Sequence, residues 1–225
     1  MAMHSSVNWN LILLIALALF DVSAAIAQVD ARVIDGDTIE LDGTSYRLVG
    51  IDAPEAGQAC AATGTRSWPC GSAAIARMES LVLGHTVSCD DQGRDAYGRT
   101  LAVCVSDGLD IGRIMVQEGK AWSFRRYSNS YASDEDSARA HKLGIWQAQT
   151  QPAWEFRAQR WESAKQEAPE GCPIKGNITA NGRIYHAPWS PWYSRTSINP
   201  GKGERWFCSE ADAVAAGWRA PYWGR

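Results

Sequence analysis

A chain of 225 residues, 45% hydrophobic and 21% charged, holds enough apolar material for a real core in one domain or two small ones, and so is not a disordered tail. Its formal charge of −3 hides an asymmetry: residues 28–171 carry 15 basic and 21 acidic side chains, net −6, whereas residues 172–225 carry 7 basic and 3 acidic, net +4. An acidic body of this kind excludes a general nucleic-acid clamp, and a polyanion has to be engaged by local arginines rather than by the global field.

Residues 1–27 contain no Lys or Arg, an apolar run over residues 11–20, and the small-residue ending Ala25-Ile26-Ala27 before Gln28. This reads as a secretory signal, with an uncleaved anchor as the alternative. Asp21 cuts the apolar run short of a comfortable span, and no Cys follows it to carry a lipid. All six cysteines lie beyond this segment, so disulfides and a periplasmic or secreted location are expected. Many pairings are possible. Proximity favours Cys60 with Cys70 across one loop and Cys89 with Cys104 across a hairpin, leaving Cys172 with Cys208. A zinc site, with His186 as a further ligand, is the rival, although no Cys-x-x-Cys or His-x-x-x-His spacing supports it.

From residue 29, segments 29–34, 38–41 and 46–51 alternate apolar and polar residues around Asp35-Gly36 and Asp42-Gly43, which predicts a three-strand meander. Apolar positions at Ala74, Ile75, Met78, Leu81 and Val82 predict a helix over 71–82 that stops at Gly84. A second strand pair, 86–89 and 100–105, is joined by a polar loop with Gly93, Asp95 and Gly98. Ile111, Ile114 and Met115 line a short helix ending at Gly119, and Ser133 with Asp136 forms a capping-box start for a helix that runs to Leu143. Residues 153–165 form a further helix carrying Trp154, Phe156 and Trp161, and residues 168–171 read as a linker. The fold class is therefore α+β, mainly β: a five-stranded OB-fold Greek-key barrel with about three helices over residues 28–167, followed by a small disulfide-stapled module over residues 172–225.

Carboxylates and guanidiniums flank these predicted strands: Asp35, Asp37, Arg47, Asp52, Glu55 and Arg99. Acids at strand ends can hold a hard cation and activate water, while arginines can neutralise charge growing on a phosphoryl group. Arg47 lies within an apolar run, where an unpaired charge is costly, so it has to find a partner or a ligand. Pro54 stiffens the segment that carries Glu55. Each of these residues also has a plainer reading. Asp35, Asp37 and Asp52 can close turns, Glu55 can be a solvated side chain, and each arginine can be a structural ion pair. Tyr97 and Tyr127 can stack on bases or serve as core or rim aromatics.

The runs over residues 33–41 (VIDGDTIEL), 46–55 (YRLVGIDAPE) and 97–102 (YGRTLA), with the elements over 119–121 and 144–146, resemble the staphylococcal nuclease family over about residues 29–160. The resemblance implies a calcium ion held by Asp37, Asp52 and the main-chain carbonyl of Ala53, where the family often has Thr. It implies Glu55 as the general base and Arg47 and Arg99 as phosphate clamps, with Asp35 supporting the turn and Arg47. It also implies DNA or RNA as substrate, attacked by water at the 5′ P–O bond to leave 3′-phosphate ends, preferentially on single or frayed strands. Arg125, where an aromatic would be expected, puts the detailed nucleotide contacts in doubt rather than the hydrolytic centre. An insertion over residues 58–70 borders the active face.

Residues 172–225 hold nine aromatics among their basic residues. Such a mix suits contact with nucleic acid or an envelope polymer, or else a tiny stapled fold whose Trp residues make its core. Ile184-Tyr185-His186 and the residues around Cys208 resemble the small module called a sunset domain. The chain as a whole reads as an exported, monomeric nuclease without stable membrane insertion once its signal is removed; a non-catalytic OB-fold binding protein for nucleic acid or envelope polymer is the alternative.

Overall fold

In a computed structural model, Met1 and residues 30–64, 66–95 and 97–222 are described, so the expected signal segment lies outside the described residues. β1 (Ala31–Asp35) and β2 (Thr38–Leu41) form a hairpin, and Asp42 and Gly43, with φ of 48° and 79°, turn β2 into β3 (Thr44–Leu48). An Asp-Gly pair at positive φ is the turn whose twist matches that of the strands it joins. The expected third strand is interrupted at Val49-Gly50, and β4 (Ile51–Asp52) pairs elsewhere, with β10 below. Two short strands, β5 (Cys60–Ala61) and β6 (Ser67–Trp68), lead into α1 (Cys70–Val82), whose buried face includes Ala74, Ile75, Met78 and Val82.

β7 (Val87–Arg94) runs well beyond the expected residue 89 and pairs along its length with β8 (Thr100–Ser106). β8 in turn lies parallel to β3, so the main sheet has the order β1-β2-β3-β8-β7. This crossover order is the Greek-key arrangement of a five-stranded OB fold. β9 (Leu109–Asp110) adds to β8 and leads into α2 (Ile111–Gln117), and β10 (Trp122–Ser123) pairs with β4. The core between sheet and helices holds Val33, Ile39, Leu48, Met78, Ile111 and Met115.

α3 (Ala132–Ala140) starts one residue before Ser133, with Tyr131 at its N-cap and no side-chain cap, and it ends short of Leu143. The capping box is therefore not used. Asp134 and Glu135 of its first turn are instead drawn to Arg113, Gln117 and Arg125 of neighbouring elements. The expected elements around Gly119 and Gly144 meet, with the Ile145 amide donating to the Gly119 carbonyl at 2.9 Å.

α4 (Ala153–Glu167) is anchored by Trp154, whose ring stacks on Phe124 at 5.5 Å and meets Trp122 edge-on at 5.9 Å. The C-terminal region follows as β11 (Ile174–Thr179), β12 (Gly182–His186), β13 (Arg205–Phe207) and α5 (Glu210–Ala215), with strand order β12-β11-β13. Five α-helices are thus present among the described residues, more than expected. The C-terminal core is Ile174, Tyr185, Phe207, Ala213 and Trp218, so Trp218 is the tryptophan that serves the core, while Trp189, Trp192 and Trp206 are half-buried. No helix among the described residues is long and apolar enough to cross a membrane.

The disulfides join Cys60 to Cys70, Cys89 to Cys104 and Cys172 to Cys208, which leaves no free thiolate for zinc. The last closes a loop with a sequence separation of 36 around a core of few large side chains. Replacing Cys172 and Cys208 together by Ser is expected to weaken the C-terminal region by about 3–4 kcal/mol. Denaturant unfolding combined with limited proteolysis reads this as early cleavage after residue 167 with the barrel intact; unchanged unfolding and cleavage would contradict it.

Candidate functional site

The β1–β2 turn brings Asp37 to β4. A Cβ on Gly36 would lie 2.7 Å from the Ala53 Cβ and 2.9 Å from the Ala74 Cβ, so only glycine lets the turn approach this closely. Asp35 accepts from the Asp37 amide at 3.0 Å within the turn. Asp37 Oδ2 then accepts from the Ala53 amide at 2.8 Å, which lays the Ala53 backbone against the carboxylate. Asp52, at the end of β4, is 0% exposed.

Arg47 projects from β3 between these acids. It donates through Nη1 to Asp37 Oδ1 and through Nη2 to Asp52 Oδ1, the latter at 2.9 Å. The sequence argument required a partner for this buried charge, and it has two. Glu55 is positioned by its neighbours: its amide donates to the Gln58 side chain at 3.1 Å, and the Gln58 amide group donates to the Gln151 carbonyl ahead of α4 at 2.8 Å. Gly71 in the first turn of α1 allows that segment to lie on the helix, because a Cβ there would stand 1.7 Å from the Glu55 carbonyl oxygen.

A fifth group joins Asp37, Asp52, Arg47 and Glu55 from α4. Arg157 Nη1 donates to Glu55 Oε1 at 2.6 Å and to Asp52 Oδ1 at 3.1 Å, and Nη2 donates to Asp52 Oδ2 at 2.8 Å. Sequence reasoning passed over Arg157, which has no motif around it, and likewise over Gln58. An amphipathic reading of α4 sees its aromatics, but the acids that Arg157 meets are more than a hundred positions earlier in the chain.

Arg99 stands apart from this cluster. Asp95 organises its loop, accepting from the amides of Tyr97 and Arg99 at 2.9 and 3.0 Å and from Arg99 Nε at 2.7 Å. The Arg99 guanidinium also lies over the Tyr97 ring, 5.2 Å from its centroid. Arg47, Glu55, Tyr97, Arg99 and Arg157 nevertheless line one cavity of about 500 Å³. Tyr127 does not join them. It is 70% exposed, its ring lies 5.0 Å from that of Phe124, and it lines neither of the two cavities beside Glu55.

The cluster is short of positive charge. Burial pushes the Asp37 carboxyl up to about 7 although Arg47 opposes it, and burial pushes Glu55 up to about 7 against the opposing Arg157. Both guanidiniums are also disfavoured by burial, yet the facing carboxylates more than offset this and hold them firmly charged. Among the described residues no three His, Cys, Asp or Glu side chains converge on one point, because the two guanidiniums lie between the acids. Asp37, Asp52 and the backbone of Ala53 are nevertheless hard oxygen donors in one buried place, where the carboxylates of Asp37, Asp52 and Glu55 outnumber the two guanidiniums, and this donor set fits a divalent cation of the calcium type.

Residues 45–148 match the family model described as staphylococcal nuclease homologue, and residues 158–220 match a model described as ArfC, so the sunset-domain resemblance of the module over residues 172–225 is not confirmed. The chain is 36% identical over 134 residues to the succinoglycan biosynthesis protein ExoI of Rhizobium meliloti, an alignment covering 58% of this chain and 70% of that protein. It is 37% identical over 134 residues to a protein of Escherichia coli O157:H7 named only as an uncharacterized endonuclease, covering 56% and 81% of the two chains. To the micrococcal nuclease of Shigella flexneri it is 34% identical over 144 residues, covering 56% and 77%.

Proposed function

This chain belongs to the staphylococcal nuclease homologue family, and from that premise we propose that it is an exported, calcium-dependent nuclease that hydrolyses phosphodiester bonds of DNA or RNA. The observation that carries the proposal is the buried convergence of Asp37, Asp52, Glu55 and Arg47 beside a cavity that Arg99 also lines. Three disulfides favour an oxidising compartment.

When bound, the cation would be held by Asp37, Asp52 and the Ala53 carbonyl, and would supply Lewis-acid polarisation of a phosphoryl oxygen. Glu55 acts as general base. Its Oε1 is held by Arg157, so Oε2 takes the proton from the attacking water, and a carboxyl raised to about 7 is matched to work near neutrality. Arg47 and Arg99 present planar sets of donors to the phosphoryl oxygens, where charge grows in the transition state. Gln58 and Asp95 position the base and one clamp through the contacts described above. The leaving group on this reading is the 5′ oxygen, which gives 3′-phosphate ends.

Purified protein is expected to degrade DNA or RNA in calcium, to stop in chelator and to recover when calcium is restored, with product ends read by their susceptibility to phosphatase. Retained binding with no cleavage under any of these conditions would favour a non-catalytic OB-fold binding protein instead.

A further inference from the structure

Two cavities meet at Glu55, and both are built jointly by the barrel and the C-terminal region. One, of about 490 Å³, is lined by Glu55, Tyr97 and Arg99 together with Tyr185, Trp189 and Tyr222. The other, described above, adds Trp161 and the same Trp189. Trp189 is thus the C-terminal aromatic common to both walls beside the proposed base and phosphate clamp.

The position of Trp189 is well braced. Its ring packs against Trp161 of α4 at 6.3 Å with 36° between planes. The Ser190 amide closes a turn on the Ala187 carbonyl at 2.8 Å, and a Cβ on Gly57 would come within 3.2 Å of the Trp189 carbonyl oxygen. The far end of the region is tied to the barrel, where the Tyr222 hydroxyl meets both carboxylate oxygens of Glu40 at 3.1 and 3.2 Å and Arg32 lies over its ring at 5.0 Å.

We propose that Trp189, with Tyr97 of the β7–β8 loop, forms a stacking subsite for an unpaired nucleobase next to the scissile phosphate, so that the C-terminal region selects single strands. The inference rests on the nuclease reading above and gives the C-terminal region a part in holding its substrate. An aromatic ring beside a guanidinium is the surface that single strands bind, because every base has a π-face to stack. Within a duplex those faces are covered by neighbouring bases, so only an unstacked base can use the subsite. The Arg99 guanidinium lies over Tyr97, and Trp189 lines the same two cavities as both. The region that carries Trp189 also holds a net charge of +4, which suits a polyanion led along it.

The test uses the full chain carrying Glu55→Gln, calcium, and labelled ten-nucleotide single strands read by fluorescence anisotropy. Trp189→Leu, which keeps apolar bulk and removes the π-face, is expected to weaken binding about tenfold, whereas Trp189→Phe stays within about threefold. On an oligonucleotide that is abasic throughout, Trp189→Leu is expected to change binding by less than about twofold, since no base is there to stack. Equal losses for Leu and Phe, equal losses on the abasic strand, or no loss at all would each overturn the subsite. Failure of the nuclease reading shows separately, as absence of cleavage by the unmutated chain.

Discussion

Glu55→Gln is expected to lower turnover on DNA by at least about a hundredfold while substrate binding persists. The substitution keeps the shape of the side chain, and the backbone at position 55 remains held by Gln58, so the site should retain its form. What is lost is the oxygen able to accept a proton from water. The charge is lost as well, and the contact from Arg157 Nη1, now an ion pair at 2.6 Å, becomes a hydrogen bond from a guanidinium to a neutral amide oxygen. Single-turnover cleavage gives the rate, and anisotropy with a labelled strand gives the binding. A variant that cleaves as fast as the parent removes Glu55 from the role of base, and a variant that neither binds nor cleaves points to a damaged site instead.

Arg157→Ala is expected to cause a large loss of stability. Its guanidinium is 23% exposed and serves two carboxylates, one of them fully buried, so its removal leaves Asp52 and Glu55 partly unpaired. Breaking a buried pair from one side costs on the order of 3 kcal/mol, which for a chain of this size corresponds to a fall in Tm of roughly 6–12 °C in chelator. Calcium should then raise the Tm of the variant more than that of the parent. The cation and the guanidinium neutralise the same acids, and a ligand that binds only the folded state stabilises it by mass action. Thermal melts with and without calcium test both parts. Equal calcium increments in the two proteins would show that Arg157 and the ion do not share these carboxylates.

Much of this molecule is written in local signals. The Asp42-Gly43 turn, the alternation of β1 and β2 and the apolar stripe of α1 each follow from residues a few positions apart. Arg47 stood out as a charge in an apolar strand, while Asp37, Asp52 and Glu55 were singled out by the motifs that resemble the family. Local signals also misled where a neighbour outbid them. Ser133 looked like a cap, but Asp134 and Glu135 formed tertiary pairs with Arg113 and Arg125, and the helix began earlier.

The sequence by itself determined the first hairpin, the turns around it and the stripe of α1, because these depend on backbone preferences and short-range patterning, and its runs of motifs carried the family. Packing of distant segments placed Arg157 between Asp52 and Glu55, set Gln58 beneath the base, left Tyr127 outside the cavity and put Trp189 on its wall. Nothing near those residues announces their partners. A charged or aromatic side chain on a helix or loop shows its chemistry only when another part of the chain, brought close by the shared core, supplies the opposite charge or the facing ring.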